Sequence, residues 1–126
     1  ALPSAAVAVA YMEARNASAP GAFWRPLASY HAKAGDKERA VRIVAQAEGV
    51  ALNGSLPDGE FAREVTALRA QGNEVAVRRL VKEAAGGKEP DAERLQVAMA
   101  LYAASGDWEM AWKAASRLVT TRKKRQ

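Results

Sequence analysis

Residues Leu27 to Glu48 read LASYHAKAGDKERAVRIVAQAE, and their spacing decides the fold. Leu27, Tyr30 and Ala34 recur at intervals of three and four, the spacing of one helix face. Gly35 stops that helix, because glycine accepts the left-handed backbone in which many helices end. Asp36 is placed to cap the next helix with its carboxylate. Ala40, Val41, Val44 and Ala47 then form one apolar face, and Lys37, Arg39 and Arg42 lie off it. The stretch is a helix, a two-residue turn and a second helix packed back on the first.

The pattern recurs twice. Gly72-Asn73 separates an apolar-periodic run before it from Glu74 to Ala84, and Gly106-Asp107 does the same before Trp108 to Val119. Gly35 and Gly72 are 37 residues apart, and Gly72 and Gly106 are 34 apart. A period in the mid-thirties is the mark of stacked helical hairpins, none of which can bury its apolar face alone. The expectation is an all-α protein: an α-solenoid of about three stacked hairpins plus a leading helix. Residues 1–119 would form the repeat domain and residues 120–126 a frayed basic tail.

Outward from the turns, Pro3 to Arg15 reads as the leading helix, with Val7, Ala10, Tyr11 and Ala14 as its apolar stripe. Asn16 to Gly21 reads as a loop. Gly49 to Gly59 is the longest break, where one hairpin hands over to the next. Phe61, Val65 and Leu68 align on a fourth helix and Val77, Leu80, Val81 and Ala84 on a fifth. After Gly86-Gly87-Lys88-Glu89-Pro90, Leu95, Ala98, Met99 and Tyr102 align on a sixth. Trp108, Ala111, Trp112, Ala115, Leu118 and Val119 align on the last.

Composition narrows the chemistry. The 126 residues suffice for one domain. With no cysteine there is no disulfide and no thiolate zinc site, and a single histidine, His31, disfavours a histidine metal site or acid–base pair. No apolar run approaches the roughly 20 residues of a membrane span, and no presequence is visible. Ala1 in place of methionine leaves a processed, excised or internal origin open. The net charge of +5 sits at one end. From Lys113 onward there are six basic residues and no acid, while the remaining 13 basic and 14 acidic residues balance to −1. No cofactor, metal or small-molecule substrate is implied, and no enzymatic constellation is present.

Two blocks carry a family resemblance. Lys33-Ala34-Gly35, with Ala40 five residues after the glycine, resembles the turn of pentatricopeptide repeats, and Gly106 to Ala111 (GDWEMA) repeats the spacing. Gly87-Lys88-Glu89-Pro90-Asp91 resembles the linker between such repeats, and Leu56-Pro57-Asp58 is a looser copy. The resemblance spans Ala22 to Val119. It implies a non-enzymatic RNA-binding or structural subunit of an organellar ribonucleoprotein in the mitochondrion, such as the mitochondrial ribosome or an RNA-processing complex. Tetratricopeptide repeats share the plan and come second, implying a protein–protein scaffold. The positions matching the family's base-reading residues are Pro26 and Val97, which offer no amide or hydroxyl, while Arg63 falls near the matching place in the middle hairpin. Contact with RNA is therefore expected through its backbone, with little base reading.

The expected phosphate contacts are Lys113, Arg117, Arg122, Lys123, Lys124 and Arg125, since basic residues release counterions from a polyanion. Arg78, Arg79 and Lys82 form a second basic face. Its bland reading is an exposed helix with ion pairs from Glu74 to Arg78 and around Glu83. Trp112 reads as core and Trp24, beside Arg25 near a loop, as the more open tryptophan. Tyr30 and His31 adjoin without a catalytic partner. Asp91 and Glu93 read as helix-start residues.

Overall fold

The computed structural model describes residues 5–18 and 23–125, and of these the backbone alone for residues 5, 16–18 and 122–125. They form seven helices and no strand: α1 (Ala5–Ser18), α2 (Trp24–Lys33), α3 (Lys37–Glu48), α4 (Glu60–Ala70), α5 (Glu74–Gly86), α6 (Ala92–Ala104) and α7 (Trp108–Arg125). The chain is all-α. Pro3 and half of the expected loop, residues 19–21, lie outside the described residues.

The three turns are near copies. Gly35, Gly72 and Gly106 have φ of 92°, 73° and 79°, the left-handed region. At each, the amide after the glycine donates to a carbonyl five residues back: Asp36 to His31, Asn73 to Leu68 and Asp107 to Tyr102. The side chains of Asp36, Asn73 and Asp107 then accept from the amides of Arg39, Ala76 and Met110. One glycine ends a helix and the next residue starts another, which closes each hairpin with its terminal backbone groups paired.

The hairpins do not stack in chain order. α3 packs against α7 and α6, whereas no Cα of α3 comes within 8 Å of α4. α5 packs on α6 and α7, and α4 on α6, so the third hairpin lies between the first and the second. The cause is in α6. Leu95, Val97, Ala98, Met99, Ala100 and Ala103 are all buried, covering most of its circumference. A helix apolar all round demands neighbours on every side, and α3, α4, α5 and α7 all pack on it. Residues 49–59 make the detour possible, since eleven extended residues reach about 35–40 Å. Val50 is buried, and Leu52 and Leu56 pack on the core along the way.

Polar contacts pin this arrangement. Lys37 Nζ donates to Glu109 Oε2 at 2.6 Å, joining the starts of α3 and α7. Gln96 on α6 donates to Glu48 at the end of α3 at 3.0 Å. Glu93 accepts from the amides of Phe61 and Ala62 at 2.7 and 3.4 Å, so the first turn of α6 caps α4. α4 has Gly59 at its N-cap and no side-chain cap of its own. A β-carbon on Gly59 would sit 2.1 Å from Glu93 Oε1, so this contact requires glycine there.

Several expectations shift. The stripe on α1 faces outward: Val7 and Tyr11 are each 58% exposed, because among the helices only α2 packs on α1. Tyr30, Ala34 and Ala47 are also exposed. The buried face of α2 is Trp24, Leu27, Ala28 and His31. That pattern has helical spacing, but its last member is a histidine, which an apolar stripe does not include. Trp24, expected to be more open than Trp112, is only 7% exposed and the more buried of the two. Trp112 packs on the core but stays half-buried. α1 runs to Ser18, and the backbone of α7 continues as helix through Arg125, where a frayed tail was expected.

Candidate functional site

The expected basic residues fall into two groups with different roles. Arg78, Arg79 and Lys82 are exposed on α5 and form no ion pair among the described residues. The expected Glu74–Arg78 pair is not made. Val75 is 75% exposed; it, Arg78, Arg79 and Lys82 follow the three-and-four spacing of one helical face. Glu74 and Glu83 lie to either side of that face.

The face leads to α7. Lys113 is exposed, and its Nζ lies 3.6 Å from where a side chain on Gly86 would begin. Arg117 is turned inward. Its Nη1 donates to Ala85 O at 3.0 Å and its Nη2 donates to Gly87 O. The guanidinium thus satisfies carbonyls at the negative end of the α5 dipole and ties α5 to α7. These bonds use two of the five guanidinium donors of this half-buried residue, so Arg117 has a role inside the protein besides the expected phosphate contact. The backbone carrying Arg122, Lys123, Lys124 and Arg125 extends the same helix.

A cleft of about 500 Å³ opens beside this face, between α5, the end of α6 and the segment at Gly54. Val77, Val81, Leu101 and Tyr102 form its apolar wall, beside which Arg69 and Arg78 line it. Glu74 and Asp107 also line it. Arg69 is exposed and unpaired among the described residues. Burial, reinforced by the nearby Asp107 carboxylate, raises the Tyr102 phenol above its ordinary value of 10.0. The cleft is not legible in the sequence, because its walls come from four separate segments.

Three other aromatic residues lie under arginines. Arg25 lies over Trp24 at 5.0 Å, Arg42 over Trp108 at 5.3 Å and Arg94 over Phe61 at 4.9 Å. Pro26 and Arg63 are exposed, Arg63 beside Asp58 at 3.4 Å, whereas Val97 is fully buried and faces no ligand. Asp91 caps α6 through the Arg94 amide at 3.0 Å. His31 Nε2 lies 3.3 Å from Glu13 Oε1, which also sits 3.8 Å from Arg39. This cluster docks α1 on α2. Among the described residues, no group of three or more acids and histidines is placed to hold a metal, and no helix is long and apolar enough to cross a membrane.

No family model matches the chain, and neither a curated protein nor a solved structure matches it.

Proposed function

We propose that the chain is a short, non-enzymatic helical-repeat unit of the α-solenoid kind, with its stacking order permuted, which binds RNA through phosphate contacts. The supporting observation is the basic face of α5: Arg78, Arg79 and Lys82 are exposed, without ion pairs among the described residues, and Lys113, on the helix that carries the basic terminus, reaches Gly86 one turn beyond Lys82. Such a face neutralises phosphates and releases counterions, which gives affinity without sequence preference. A mitochondrial ribonucleoprotein, such as the mitochondrial ribosome or an RNA-processing complex, is the setting suggested by the pentatricopeptide resemblance of the turns and linker.

Fluorescence anisotropy with a structured RNA, over a salt series, tests this. The intact chain, one ending at Thr121, and the variant Arg78→Gln/Arg79→Gln/Lys82→Gln are compared. Each phosphate contact contributes about −0.9 to the slope of log affinity against log salt. The triple variant should therefore flatten the slope by about 2–3, and the truncation should flatten it further. Salt-insensitive binding, or none at low salt, overturns the reading.

The second reading is a tetratricopeptide-like protein scaffold. It is favoured by α1, whose Val7 and Tyr11 are both more than half exposed although the Tyr11 ring meets Phe23 edge-on at 6.4 Å. Apolar helix faces of this kind pack against partner helices.

A further inference from the structure

The cleft beside α5 shares Arg78 with the basic face. We infer that this cleft receives a single unstacked nucleotide, such as a bulge, from RNA whose backbone lies along α5. The inference rests on the proposed RNA-binding function and names the RNA feature the site would take.

Four properties of the cleft point to that ligand. Its volume of about 500 Å³ falls in the range of small-ligand sites, roughly 300–1,000 Å³. Its wall joins the Tyr102 ring to the aliphatic surfaces of Val77, Val81 and Leu101, which suits the flat face of a base. Arg69 and Arg78 reach it from two different helices and have no carboxylate partner among the described residues, so a phosphate flanking the base would complete them. Glu74 and Asp107 repel phosphate but accept hydrogen bonds from the amino and imino groups of a base. Phosphate is thereby directed toward the guanidinium groups and the base edge toward the carboxylates.

Position explains why an unstacked nucleotide fits better than a continuous single strand. The face of α5 itself carries no aromatic residue, since α5 reads EVAVRRLVKEAAG. Trp24, Trp108 and Phe61 are covered by arginines. Tyr11 and Tyr30, the exposed aromatics, sit on α1 and α2, neither of which packs on α5. A strand tracked along α5 itself would find phosphate contacts but no stacking partner, whereas the cleft supplies Tyr102. Base-paired RNA with one base turned out matches that distribution.

The test compares two RNA hairpins that differ by one bulged adenosine, by anisotropy at fixed salt. The bulged hairpin should bind about 10-fold more tightly, the lower range of a base–aromatic stack. A hairpin with an abasic residue in the bulge should lose that advantage. In Tyr102→Leu, with helicity checked by circular dichroism, the ratio of the two affinities should fall to about one. Arg69→Gln, at an exposed position, should reduce the ratio without affecting folding. Equal affinity for paired, bulged and abasic hairpins in the unaltered protein overturns the inference while leaving the phosphate-binding face intact. Failure to bind either hairpin at low salt overturns the RNA-binding function and the cleft with it.

Discussion

Asp36, Asn73 and Asp107 each cap a helix in the same way, with one side-chain oxygen accepting the amide three residues on. Replacing any of them with alanine should cost about 1 kcal/mol of stability, measured by urea denaturation. Alanine at Gly72 should cost about 1–2 kcal/mol, because its backbone is left-handed and the loss arises there and not from crowding. These residues were legible because capping and left-handed turns depend on local chemistry alone. Tyr102 gives a prediction in pH. Its pKa is raised in the folded state, by burial first and Asp107 second. Its contribution to stability is complete below the unfolded value near 10 and is lost as pH rises through the folded value. Denaturation midpoints of the unaltered protein should therefore fall more steeply above pH 10 than those of Tyr102→Phe; parallel curves would remove the effect.

At the scale of elements, helix number and most helix boundaries follow from the sequence, since turn signals and apolar spacing agree. The buried faces follow less well. On α2 the inward stripe includes His31, and on α1 the apolar stripe points outward. Composition identifies a stripe, but the neighbours determine whether it is covered. Arg117 has a role that its place near a basic terminus does not announce, since it donates to the carbonyls of Ala85 and Gly87. Arg117→Met should therefore cost about 1.5–3 kcal/mol, the range for hydrogen bonds to charged groups. It should also speed hydrogen exchange at the end of α5. On α6, Met99→Ala should cost about 2–5 kcal/mol, because the side chain is fully buried among helices on several sides.

For the whole molecule, the repeat period implies consecutive stacking, and that is where sequence reasoning falls short. The turns set the conformation inside each hairpin, but they do not say which hairpin lies beside which. The clue is the all-round apolarity of α6, together with a linker at 49–59 long enough to pass the third hairpin. The resulting order sets α5 beside α7, and with it Lys113 against Gly86, one turn beyond Lys82 on the basic helix. The cleft depends on the same order, since its wall combines α5 with the end of α6.

The placement of the third hairpin between the other two is the central structural claim, and zero-length carbodiimide cross-linking tests it directly. Lys37 and Glu109, 2.6 Å apart across the starts of α3 and α7, should join as an amide identifiable by mass spectrometry. Cross-links from α3 to α4 or α5 in place of that pair would show consecutive stacking and contradict the claim.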